Sequence, residues 1–136
     1  MMMKDGLTGG GRTRHYRDLV VWQKAMSLTK SVYHETEALP NNEKYGLQSQ
    51  MRRAAVSVPS NIAEGHGRLD DGHFRQFLAT SRGSVFELET QLELASGLSL
   101  LNEARAVGLM EQCEEVARML NGLIAVMDSK GTAARR

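Results

Sequence analysis

Between positions 64 and 73 stand Glu64, His66, Asp70, Asp71 and His73, side chains that bind metals or move protons. Two imidazoles and three carboxylates drawn together by a turn could hold a divalent cation. Their spacing, however, matches no established ligand pattern such as His-Glu-x-x-His, and the chain has no pair of cysteines. Helix capping by Asp70 or Asp71, with solvated turn residues around it, accounts for the same corner. Gly9-Gly10-Gly11 is not followed by Lys-Ser or Lys-Thr, so it is no phosphate loop. No nucleophile pattern stands up either. The expectation is a protein that is not an enzyme, with no cofactor and no metal.

A second constellation lies just upstream. Gln50, Arg53, Ser57, Asn61 and Glu64 step by three or four residues and share one helix face. Leu47, Met51, Ala54, Ala55, Val58 and Ile62 form the adjoining apolar stripe. A helix with a core face and an ordered polar face beside it touches something besides solvent. One reading is a hydrogen-bonded seam, with Arg52 or Arg53 paired to Glu87 or Glu89. The other is a subunit interface or ligand groove, with Arg68 at its end. Arg53 is expected to matter for stability, because a cation at the core edge needs a partner.

Four helices must position these groups. The first runs from near Asp18 to about Ala38, with Leu19, Trp22, Met26 and Tyr33 on one line and Val21, Ala25, Leu28 and Val32 on another. Trp22 reads as a core anchor. Pro40 stops this helix, and Asn41 or Asn42 can cap the next, over about Glu43 to Glu64. Pro59 falls inside that helix and leaves the carbonyl of Ala55 without its donor, so a kink is expected there, with Ser57 and Ser60 relieving the freed carbonyls. Gly65 and Gly67 end it, where positive φ is usual. The third helix, from Asp70 or Asp71 to about Ser96, carries the heptad seam Phe74, Leu78, Ser81, Val85, Leu88, Leu92 and Ala95. In a hairpin about Gly67, Ala54 would lie near Ser81 and Met51 near Ser84. After a break with Ser99 and Asn102 as caps, the fourth helix repeats the seam through Leu109, Cys113, Val116, Leu120, Leu123 and Met127. Phe86 falls on the far side of the third helix, a place for a subunit contact.

The predicted fold is all-α, an up-down-up-down antiparallel four-helix bundle over residues 16–128. Residues 1–15 and 129–136 are expected to be unstructured basic tails. A 136-residue chain fits one domain, and 5% aromatic content with 41% hydrophobic residues favours helices. A net charge of +1 gives no global field for nucleic acid. Basic residues gather at the ends instead: Arg12, Arg14, Arg17, Lys130, Arg135 and Arg136 could touch a polyanion. The lone Cys113 sits on an apolar stripe, which suits a reduced thiol and a cytoplasmic location. No run reaches the roughly 18 apolar residues of a membrane span.

Several blocks together carry a resemblance: Leu19-Val20-Val21-Trp22-Gln23-Lys24-Ala25, Tyr45-Gly46-Leu47, Gln50-Met51-Arg52-Arg53-Ala54-Ala55, Ser60-Asn61-Ile62-Ala63-Glu64-Gly65, Phe77-Leu78, Gly83-Ser84, Glu87-Leu88-Glu89 and Met119-Leu120-Asn121-Gly122-Leu123-Ile124. In this order, over about Tyr16 to Met127, the chain resembles the four-helix-bundle proteins encoded in intervening sequences of 23S ribosomal RNA genes. That resemblance implies the up-down bundle, a homopentamer with a central channel, and no established catalytic activity. A similar bundle, the accessory protein of diversity-generating retroelements, implies nucleic acid and a protein as partners besides the chain itself. The near-neutral charge here departs from that basic relative.

Overall fold

A computed structural model describes residues 15–135, with side chains through Gly131. Four helices make up the fold: α1 (Val20–Glu35), α2 (Leu47–His66), α3 (Asp71–Gly97) and α4 (Glu103–Arg135), with short 3-10 turns at Tyr16–Asp18, Thr36–Ala38 and Asn41–Glu43. No strand occurs among the described residues. None of the described helices is long and apolar enough to cross a membrane.

Cross-helix pairs fix how the helices run. Thr36 meets Gln48 while Thr29 meets Ala55, so α1 and α2 are antiparallel. Ser57 meets Ser84 and Val58 meets Ser81 across α2 and α3. Asp71 pairs with Lys130, Arg75 with Asp128 and Arg82 with Asn121 across α3 and α4. Glu35–Arg105 and Lys24–Glu115 close the ring between α1 and α4. Each helix thus has two antiparallel neighbours around one core. The expected seams fill that core: Leu28, Met51, Ile62, Phe74, Leu78, Leu88, Leu92, Leu109 and Leu120 are all buried. Burial of such side chains contributes roughly 1.5–3 kcal/mol each.

The helix ends differ from the sequence reading in instructive ways. Glu43, not Asn41 or Asn42, caps α2: its Oε1 accepts from the Leu47 N–H at 3.1 Å. Gly67 has φ −74°, so no left-handed residue ends α2. Gly65 is needed for a different reason. A Cβ there would lie 2.4 Å from Phe77 Cβ, so its absence lets α3 approach. The left-handed residue is Ser99, with φ 58°. It ends α3 in a Schellman motif, with Leu100 N–H to Ala95 O at 2.8 Å and Ser99 N–H to Ser96 O at 3.0 Å.

The α2–α3 register also differs. Ser81 Oγ donates to Val58 O at 2.9 Å, and Ser84 faces Ser57, between one and two turns from the expected partners Ala54 and Met51. The hairpin turns about Asp70 rather than Gly67, because the connection runs on to the N-cap of α3. Asp70 Oδ1 there accepts from the His73 N–H at 2.8 Å. Trp22 anchors the edge of the core instead of its centre: it is half-buried against the buried cluster, its ring edge-on to Tyr16 at 5.3 Å. At the other end, α4 continues to Arg135, where an unstructured tail was expected. The pairs Arg75–Asp128 and Lys130–Asp71 tie its last turns to α3. The segment 1–14 lies outside the described residues.

Candidate functional site

The polar face of α2 borders a groove against α3. Gln50, Arg53, Ala54 and Ser57 line it from α2, and Glu87 faces them from α3, around a volume of about 370 Å³. Three residues of the predicted stripe therefore meet in one place. Ser57 is the hinge of the arrangement. Its hydroxyl pairs with Ser84 Oγ at 2.8 Å and accepts from Asn61 Nδ2 at 2.9 Å, while Asn61 Nδ2 also reaches Ser57 O at 2.8 Å. These contacts exist because Ser57 and Asn61 are one turn apart on α2.

Arg53 is not the core-edge cation the sequence suggests. It is exposed and forms no ion pair among the described residues, although Glu87 lines the same groove. Arg52 instead makes the structural contacts, and it makes them toward α1 rather than to Glu87 or Glu89. Its Nε donates to Thr36 Oγ1, and its Nη2 to Tyr33 O and Glu37 Oε2, each at 3.0 Å. Its guanidinium also lies over the Tyr33 ring, 4.6 Å from the centroid. A cation there meets the free carbonyls at the C-terminus of α1. One residue along a helix is a 100° turn, which is why neighbouring arginines face different helices.

The other predicted residues scatter. Glu64 pairs with Arg68 at 3.1 Å, and Arg68 lies over Phe77, 5.0 Å from the ring centroid. Phe86 is not part of the groove lining and is 47% exposed. Arg17 is exposed beside His15 and Tyr16, with its Nη1 3.1 Å from His15 Nε2. Lys130 is held by Asp71 at 3.1 Å. Arg135 is helical in its backbone; Arg12, Arg14 and Arg136 lie outside the described residues.

At the His66–His73 corner the structure pairs His73 with Asp70. His73 Nδ1 is 2.6 Å from Asp70 Oδ2, and His66 packs edge-on against Phe74 with ring centroids 5.8 Å apart. Hydrogen bonds from the His73 backbone and side chain hold the Asp70 carboxyl below its usual range. Among the described residues, no three of His, Cys, Asp and Glu converge as metal ligands. Cys113 is buried, and burial, reinforced by Glu89 and Glu114, pushes its thiol up to about 12. Such a thiol is a poor nucleophile at neutral pH.

Two features lay outside the sequence reading. Gln91, a helix turn beyond Glu87, is buried with Oε1 unpartnered. A cleft between α3 and α4 near the Ser99 turn is bordered by Glu93 and Glu103. The acidic character beside it was visible in the sequence: Glu89 and Glu93 stand at i,i+4 with no basic residue between them.

The family model described as 23S rRNA-intervening sequence protein matches residues 17–122, from the turn before α1 into α4. No curated protein matches the chain.

Proposed function

This chain belongs to the 23S rRNA-intervening sequence protein family, and we propose that it works as a non-enzymatic, self-associating bundle, a homopentamer, that holds RNA against one end. The observation that carries self-association is the outer face of α3. Gly83 stands in mid-helix, where glycine costs about 1 kcal/mol relative to alanine, and a Cβ added there would meet nothing within 4 Å. Among the described residues no contact repays that glycine. Phe86, one turn along, is a half-exposed ring beside it. A bare backbone next to an aromatic suits close approach by a second copy. A ring of five copies repeats one such contact head to tail.

The RNA reading is supported by where the chain ends lie. Because α1 and α4 are antiparallel, Arg17 before α1 and Lys130 late in α4 stand at the same end of the bundle. Cyclic assembly would gather the basic ends of all copies on one face, so a small charge per chain would become a local basic field. The cytoplasm is the compartment that suits this role and the reduced thiol.

Native mass spectrometry of the full chain tests the assembly: five copies are expected, and a single-chain mass overturns it. Phe86→Glu should lower the subunit count while far-ultraviolet circular dichroism stays helical. Retention on structured RNA should weaken steeply with salt, because phosphate contacts release counterions. Binding that ignores salt, or none at all, overturns the RNA reading and leaves a scaffold that recognises protein only.

A further inference from the structure

The α3–α4 seam has two unlike halves. Toward Asp71 every acidic residue on it has a cation: Asp71 with Lys130 at 3.1 Å and Asp128 with Arg75 at 2.7 Å. Beyond Arg82, toward the Ser99 turn, the seam carries Glu89 and Glu93 on α3 and Glu103 and Glu114 on α4. None of these four makes an ion pair among the described residues. Glu89 is partly buried, and its carboxyl is held above the usual range by that burial and by the charges of Glu114 and Glu93. Like charges left together in this way work against folding.

The acidic half also has an apolar floor. A cleft of about 160 Å³ is lined by Leu92, Val107 and Met110, with Glu93 and Glu103 at its rim. Val107 is 48% exposed, a β-branched side chain left wet beside carboxylates. What would cover this surface follows from its chemistry. A single metal ion is a poor match, because the carboxylates are spread along the seam instead of converging. Nucleic acid is repelled by them. The complement is a set of cations spaced along a rod, with apolar anchors between them. An amphipathic helix offers cations about 5.4 Å apart per turn, the same period as Glu89 and Glu93, and can lay Leu-type anchors into the cleft.

We propose that the Glu89–Glu93–Glu103–Glu114 half of the seam is a docking groove for a cationic amphipathic helix of a partner protein. On α3 it adjoins the Gly83–Phe86 contact, since Phe86 is three residues before Glu89 and seven before Glu93, so peptide binding and subunit count are read separately.

The test uses the full-length protein and a fluorescent synthetic helix of Leu and Lys, with Leu at i, i+3, i+4 and i+7. Anisotropy should report binding that weakens with salt, and the same peptide with Glu in place of Lys should not bind. In the Glu89→Gln, Glu93→Gln double variant the Kd should rise about tenfold or more, as loss of interfacial charge pairs does. Val107→Ser should weaken binding by a smaller factor and leave its salt dependence intact. The proposal is overturned if the double variant binds as wild type does, if the Leu/Glu peptide binds equally well, or if the double variant changes the subunit count in native mass spectra. The last outcome would assign the seam to contacts between copies.

Discussion

Thr29 Oγ1 on α1 donates to the carbonyl of Ala55 on α2 at 2.9 Å. That carbonyl is the one Pro59 leaves without a helical donor, since proline has no N–H to offer four residues on. The same hydroxyl lies 2.9 Å from Ala25 O in its own helix, so one proton is shared between two acceptors. The defect in α2 is thus mended by a neighbouring helix and not by Ser57 or Ser60, whose positions had suggested that role. Ser57 is occupied with Ser84 and Asn61.

Thr29→Val keeps the shape and removes the donor. Leaving the buried carbonyl unmet should cost about 1–3 kcal/mol in chemical denaturation. In a Pro59→Ala background, residue 59 supplies its own N–H, and the Thr29→Val cost should shrink. Equal costs in both backgrounds would show that Thr29 serves only Ala25.

Gly65→Ala should destabilise the fold by about 1–3 kcal/mol, the usual range for overpacking, although alanine is the better helix former. The clash is with Phe77 Cβ at 2.4 Å, an atom that every residue except glycine possesses. Phe77→Ala should therefore fail to rescue Gly65→Ala. A melting midpoint at or above wild type for Gly65→Ala would mean the two helices can simply move apart.

Arg52 and Arg53 should behave oppositely. Arg52→Ala strips donors from Thr36, Tyr33 and Glu37 and should cost about 1–2 kcal/mol, since hydrogen bonds from charged donors exceed neutral ones. Arg53→Ala, at an exposed position without an ion pair, should stay within about 0.5 kcal/mol of wild type. Urea titrations of the two variants side by side check the contrast.

Asp70 makes the start of α3 sensitive to acid. Its folded carboxyl titrates below the unfolded one because the His73 N–H bonds the charged form most strongly. A depressed acid contributes stability that is complete above its unfolded value, near 3.8, and is lost as pH falls through the folded value. Asp70→Asn keeps a capping oxygen but does not titrate. It should be less stable than wild type at neutral pH, lacking what the charged form contributes, and the gap should close as pH falls below about 4. Parallel acid titrations of the two proteins would contradict this origin for the slope.

The bundle was legible in the sequence because its signals are periodic. Leu109, Cys113, Val116, Leu120 and Leu123 repeat every three or four residues, and all are buried. Contacts between distant positions were not legible. Nothing near Ala55 announces that its donor lies 26 residues upstream. The α2–α3 register slipped because it depended on where a four-residue connection turns, which no periodicity encodes. Of the polar stripe, Gln50, Arg53 and Ser57 share a groove. Its inner roles were misassigned, because a 100° difference between Arg52 and Arg53 decides which helix each one meets.

Cys113 turns this architecture into its own chronometer. A thiol raised to about 12 and buried in the shared core reacts only when it meets water. Alkylation of the untouched native chain therefore counts the moments when the core opens around α4, with no label to engineer. A reagent added to the resting protein would time that breathing directly, and ligands that clamp the bundle would slow the tally.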